Sequence, residues 1–291
     1  MSEHIIGESG RIDISNTLPN GVVETINFRG IYNDPVVVAL IVTWGENDPV
    51  DVRVRNVSST SCEIFLEEPQ DDGHATETVC YIVMEKGRFT IDNGLTIEAG
   101  SHSTNSVHRS SSSGWNFDTV SFSSSFSDPI VVATLNSYNN GEFISSQVGS
   151  VTSNDFGLAQ EAVETGSSVT TEDIAWIAFE TGTFENIDVG YNVDGSNDGY
   201  DNTPHTINFN ITFSLVPDVM VDGITANGSQ GYWTVGAGTW NTTTIEVYAE
   251  EDLNANRSHA DNTFGWIAVP ENTNFKLSTY NEADQMFTFP L

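Results

Sequence analysis

The sequence predicts an all-β chain of three tandem antiparallel β-sandwiches, on three observations. The first is an internal repeat. Phe28 leads into Asp34-Pro35-Val36-Val37-Val38-Ala39, Phe122 into Asp128-Pro129-Ile130-Val131-Val132-Ala133, and Phe209 into Pro217-Asp218-Val219-Met220-Val221. Pro35 to Pro129 is 94 positions and Pro129 to Pro217 is 88, a period that suits a small domain copied twice rather than a solenoid unit. The second is spacing: six or seven short strand-like runs per copy, parted by turn residues. The third is that no segment sustains a helical period. The boundaries implied are 1–93, 94–183 and 184–291.

Within the first copy, residues 5–14 form an entry strand and Val23 to Phe28 the next. Pro35 to Val42 is a continuous apolar run of strand length, expected in the middle of a sandwich. Val50 to Val57 alternates with period two, which predicts one buried face, with Asp51, Arg53 and Arg55 sharing the other. Cys62, Ile64 and Leu66 point inward, Glu67 to Thr76 is a polar loop, and Val79 to Glu85 closes the copy. The second copy starts near Thr96 and carries a serine-rich loop, Ser101 to Gly114; the third starts near Phe184 with an Asp/Asn/Gly-rich loop, Asp194 to Asn202. Residues 271–291 lie past the third copy and are apolar enough to be expected to dock on something.

Forty-one Asp and Glu stand against nine Lys and Arg, a net charge of -32, and only Lys86 and Lys276 are lysines. Such self-repulsion opposes a compact state in dilute buffer and is screened at molar salt, where the Debye length is about 3 Å. The bias reads as adaptation to high salt. It excludes nucleic acid, which needs basic patches against phosphate. No stretch approaches a membrane span and no signal peptide opens the chain, so neither membrane insertion nor export by its own signal is expected. Cys62 and Cys80 align with apolar positions of the second copy, so buried free thiols are the default and a bridge between neighbouring strands the alternative.

No nucleophile elbow, zinc-protease helix or phosphate loop is present, the histidines form no metal-spaced pair, and no catalysis, cofactor or metal is expected. With so many acidic residues, a carboxylate pair reads as solvated surface. Asp194, Asp198 and Asp201 could hold calcium, but their spacing misses the EF-hand pattern. The polar loops recur: Trp44-Gly45-Glu46-Asn47 aligns with Tyr138-Asn139-Asn140-Gly141. An aromatic ring beside an amide suits a sugar, whose CH faces stack while its hydroxyls pair; a turn that needs Asn and Gly reads the same way. Trp44, Asn47, Tyr138 and Asn139 are the candidates on this ground.

The chain resembles the H-type lectin domain. The carriers are Gly7 to Asp13, the Phe-to-Pro-Val-Val-Val spacing, Val57-Ser58-Ser59-Thr60-Ser61-Cys62, the closing Trp176-Ile177-Ala178 and Trp266-Ile267-Ala268, and Gly199-Tyr200-Asp201-Asn202-Thr203. The resemblance implies six-stranded sandwiches that trimerise and bind N-acetylgalactosamine-like sugars between adjacent subunits. It assigns Gly199 and Asp201 to the sugar loop, Arg53 to sugar contact, and His74 and His259 to the loop before the last strand. No copy carries the full set: Arg53 aligns with Gln147 and approximately Thr234. The three copies can form a pseudo-trimer within one chain or stack on an axis shared by three chains; the family habit favours the second, a homotrimer. The functional expectation is a non-catalytic lectin-like attachment protein that binds host surface glycans. It would sit on a virion surface as tail fibre, spike or head decoration, with residues 271–291 contacting other virion proteins. The alternatives are an extracellular or cell-surface host adhesin, or a structural decoration that binds no sugar.

Overall fold

The computed structural model describes residues 4–15, 23–69, 73–108, 116–162, 169–193, 204–226, 231–250 and 262–277, and these form β-strands and loops with no helix. In the first copy the strands are β1 (His4–Ile14), β2 (Glu24–Asn27), β3 (Pro35–Ile41), β4 (Asp51–Arg55), β5 (Ser61–Glu67) and β6 (Glu77–Glu85), followed by the exit strand β7 (Gly87–Thr90). The second has β8 (Thr96–Thr104), a short β9 (Val107–His108), β10 (Asp118–Ser121), β11 (Pro129–Leu135), β12 (Ser145–Gly149), β13 (Asp155–Glu161) and β14 (Glu172–Glu180), with exit strand β15 (Gly182–Phe184). The third has β16 (Ile187–Val193), β17 (His205–Asn208), β18 (Asp218–Gly223), β19 (Trp233–Trp240), β20 (Thr244–Glu250) and β21 (Thr263–Val269), with exit strand β22 (Asn274–Leu277). The serine-rich loop therefore starts later than its composition predicts, because Ser101 to Thr104 continue the ladder of β8 on β14.

Each copy contributes two sheets: β1-β6-β3 over β2-β5-β4, β8-β14-β11 over β10-β13-β12, and β16-β21-β18 over β17-β20-β19. The exit strands tie the copies into a cycle. β7 leaves the first copy and pairs with β8 of the second, β15 leaves the second and pairs with β16 of the third, and β22 leaves the third and pairs with β1 of the first. Within the segment 271–291, Asn274–Leu277 pair with the first copy; 278–291, whose apolar residues carried the docking expectation, lie outside the described residues. The cycle closes within one chain, as the internal arrangement requires.

Burial explains the continuous apolar runs. Along β3, Val37 and Ile41 face the first copy's own core while Val36, Val38 and Leu40 face a second core shared by all three copies. β6, β11 and β14 divide in the same way, so the middle of each strand is covered on both faces and is apolar, and the polar residues fall towards the ends. Cys62 lies in the first copy's core and Cys80 in the shared one; both are free thiols, and burial pushes each up to about 12.

The joints are cyclic too: β4 packs on β11, β12 on β18, and β19 on β3. Contact at the last joint is close enough that a Cβ on Gly236 would lie 2.5 Å from the Val42 carbonyl oxygen and 2.6 Å from its Cα. The outer edges of β3 and β11 are sealed by side chains rather than strands. Asn136 accepts from Val37 N–H at 3.1 Å and donates to its carbonyl at 2.7 Å, Thr134 accepts from Ala39 N–H at 3.0 Å, and Asp222 accepts from Ala133 N–H at 3.1 Å. Exposed backbone edges that would recruit other chains are thereby satisfied inside the ring.

Candidate functional site

Twelve described Asp and Glu residues are buried, so the expectation that carboxylates here are solvated surface fails for a defined subset. Glu8, Glu98 and Asp188 occupy one register position, opposite Val83, Ala178 and Ala268. Each accepts the backbone N–H that follows the repeat phenylalanine: Arg29 on Glu8 at 2.8 Å, Ser123 on Glu98 at 2.7 Å, Asn210 on Asp188 at 2.9 Å. A buried carboxylate with amide donors locks the loop that leads into the third strand of every copy. The signal was present in the repeat, as an acid at one aligned position, but masked by the overall acidity.

The few basic residues are concentrated at the joints. Arg11 binds Asp218 at 2.8 Å and the Val216 carbonyl at 3.0 Å, and stacks on Trp240, joining the first copy to the third. Arg29 reaches the Thr273 carbonyl and Asn274 beside β22. Arg88, on β7, binds Glu98 at 2.7 Å and two carbonyls of the second copy, and lies 3.9 Å from the Phe126 ring centre.

Arg53, expected on an exposed face and in sugar contact, is 0% exposed. The reason is tertiary: β4 packs on the second copy, which covers the face that alternation alone leaves to solvent. Its guanidinium donates to Glu67 at 2.8 Å, Glu172 at 3.2 Å and the Ser137 carbonyl at 3.1 Å, and sits 4.7 Å over the Tyr138 ring. Burial raises the Glu67 carboxyl above its ordinary value, with Arg53 working in the opposite direction. The aligned Gln147 makes the next joint, donating to the Gly223 carbonyl at 3.3 Å. The Arg53 position is a joint-maker in both copies.

The aromatic and amide candidates also lie at joints. Tyr138 packs edge-on against Phe65 of the first copy at 5.3 Å, and Asn139 donates its backbone N–H to Glu172 and its side-chain amide to the Thr171 carbonyl. Trp44 packs on Tyr248 of the third copy at 4.7 Å and donates its indole N–H to Asn47 at 3.1 Å. Asn47 is exposed, and Trp44 and Tyr248 are half-buried, so this joint keeps an accessible rim that the Tyr138 joint holds only in part.

His74 is buried in the first copy among Glu46, Glu68 and Glu77. Burial works against its charged form, and hydrogen bonds to Glu77 and Glu68 outweigh that and raise its pKa. Gly199, Asp201 and His259 lie outside the described residues, as do Asp194 and Asp198.

No family model matches the chain, and no solved structure does. The chain is similar to part of Halomucin. Over 283 residues, 91% of the chain, it is 27% identical to that protein of Haloquadratum walsbyi, of which it spans 3%. The similarity associates the chain with a halophilic source, in keeping with its net charge of -32. The resemblance to H-type lectins rests on the sequence motifs alone.

Proposed function

We propose that the chain is a non-catalytic, lectin-like module of a cell surface at high salt, adhesive in the manner of a host adhesin. It contacts surface glycans at the rim of the joint between the third and first copies. The observation that carries the reading is the cycle itself, which sets Trp44 and Asn47 of one copy against Tyr248 of its neighbour, between copies, where the resemblance locates the sugar. The similarity to Halomucin supports a halophilic surface over a virion, since that protein bears a mucin's name. In this reading Arg53 and His74 serve the protein's own structure, and the sugar-loop role that the resemblance gives Asp201 and His259 is left to the binding test.

A glycan array probed at molar KCl tests it. Binding reduced about tenfold or more by Trp44→Ala or Asp201→Ala supports the site, on the scale of ~1–3 kcal/mol for a lost stacking surface or an unpaired buried acceptor. A second reading, a structural spacer that binds no sugar, is favoured by the commitment of Arg53 and Tyr138 to the first joint. An array without signal at high salt would leave that reading standing.

A further inference from the structure

We infer that Glu46, Glu68 and His74 form a binding site for one divalent metal ion of the zinc class. Their ligand atoms lie within 4.8 Å of one another, and they come from three stretches of the first copy: the loop after β3, the residue that follows β5, and the approach to β6. His74 Nδ1 stands 2.7 Å from Glu68 Oε1 and 3.1 Å from Glu46 Oε1. Donors sharing a tetrahedral ion at ~2.0–2.1 Å sit about 3.3 Å apart, so seating the ion opens the His74–Glu68 contact by about 0.6 Å and the His74–Glu46 contact by about 0.2 Å, with Glu46 and Glu68 adjusting to each other from within 4.8 Å. One imidazole nitrogen and two carboxylate oxygens leave a fourth position to water, facing the side where Glu46 is 34% exposed.

Two further observations point to a cation here. The other ring nitrogen, Nε2, is 3.0 Å from Glu77 Oε1, and Glu77 is itself held by Gly45 N–H and the Thr43 hydroxyl, each at 2.5 Å. That is the outer-shell carboxylate which fixes a ligating histidine's tautomer and turns the Nδ1 lone pair towards Glu46 and Glu68. The register position of Glu77 also carries its own charge balance in the other copies. Its counterpart Glu172 is answered by the Arg53 guanidinium, and the third copy has the neutral Asn262 there. In the first copy three carboxylates converge on a single imidazole, which even when protonated leaves two negative charges, and Glu68 and Glu77 are each 1% exposed. A divalent ion that displaces the Nδ1 proton of the imidazolium to solvent cuts that excess from two charges to one. It would pin the loop carrying Trp44 to the approach of β6.

The test uses the whole chain, stripped with a chelator and dialysed into molar potassium nitrate, because chloride at that concentration complexes zinc. Competition with a chromophoric chelator should give one Zn2+ per chain with a micromolar or tighter Kd. Co2+ should give the intense visible bands of a tetrahedral site. His74→Gln should weaken binding at least about a hundredfold and abolish those bands, while Glu46→Gln, a change at a partly exposed ligand, should weaken it about tenfold. If His74→Gln does not fold, Glu46→Gln and a zinc-dependent rise in the wild-type melting temperature carry the test. No stoichiometric binding, or binding indifferent to these changes, overturns the site and leaves the cluster as a proton-bridged network or a diffuse acidic surface.

Discussion

Replacing Arg53 with Met tests the claim that the joint between the first and second copies depends on a buried charge. The guanidinium is 0% exposed, and its two carboxylate partners, Glu67 and Glu172, have side chains 7% and 0% exposed. Met fills much of the volume and supplies none of the charge. Glu172 would keep N–H donors from Asn139 and Asn140, and the hydroxyl of Ser137, whereas Glu67 loses the 2.8 Å bond that answers it. Breaking a buried pair by removing one partner costs ~3–5 kcal/mol. At roughly 2 °C per kcal/mol for a chain of this size, the melting temperature falls by about 6–10 °C. The assay is thermal unfolding by circular dichroism at molar KCl. The triple variant Arg53→Met, Glu67→Gln, Glu172→Gln should recover most of the loss, because it removes the stranded charges. A fall under ~2 °C, the scale of an exposed ion pair, or no recovery in the triple variant, would refute the reasoning.

The wild-type melting temperature should drop steeply between molar and 0.15 M KCl as screening of the -32 charge is lost, and a flat profile would remove the salt argument. Burial pushes the Asp51 carboxyl from 3.8 up to about 7, so the folded state holds that proton more tightly than the unfolded chain. Its contribution is whole below pH ~4 and lost as the pH rises to 7; Asp51→Asn should therefore flatten the fall in stability across that window, and parallel profiles would count against it. Gly236→Ala puts a Cβ 2.5 Å from the backbone oxygen of Val42, which cannot move aside. It should cost ~3 kcal/mol, the upper end of overpacking, and a melt within 1 °C of wild type would show that the joint yields. Because each copy's joint surface is occupied within one chain, sedimentation at molar salt should give a monomer of 31.7 kDa, and a trimer would restore the homotrimer that the lectin resemblance implies.

Strand-level structure was legible because it is encoded locally. Alternation and turn residues place β1, β4, β5 and β6 to within about two residues of their observed ends, and Cys62, Ile64 and Leu66 point inward as their period requires. The threefold repeat was legible for the same reason: Phe28, Phe122 and Phe209 are all buried, the first two in the cores of their own copies and the third in the shared core. The candidate site was less legible. Period-two alternation reports one face buried and the other open, but it is silent on whether a second copy covers the open face. Arg53 was accordingly assigned to solvent, and becomes fully buried only when β4 meets β11. The meeting of His74 with Glu46 was equally hidden, since segments 28 positions apart approach only once β3 and β6 pair side by side in one sheet. By itself the sequence determined the all-β strand content and the strongly acidic charge, which are local or additive properties. Which strand each copy lends to its neighbour, and which charges lose their water as a result, were decided by the tertiary structure, because burial belongs to the closed ring and to no single segment of the chain.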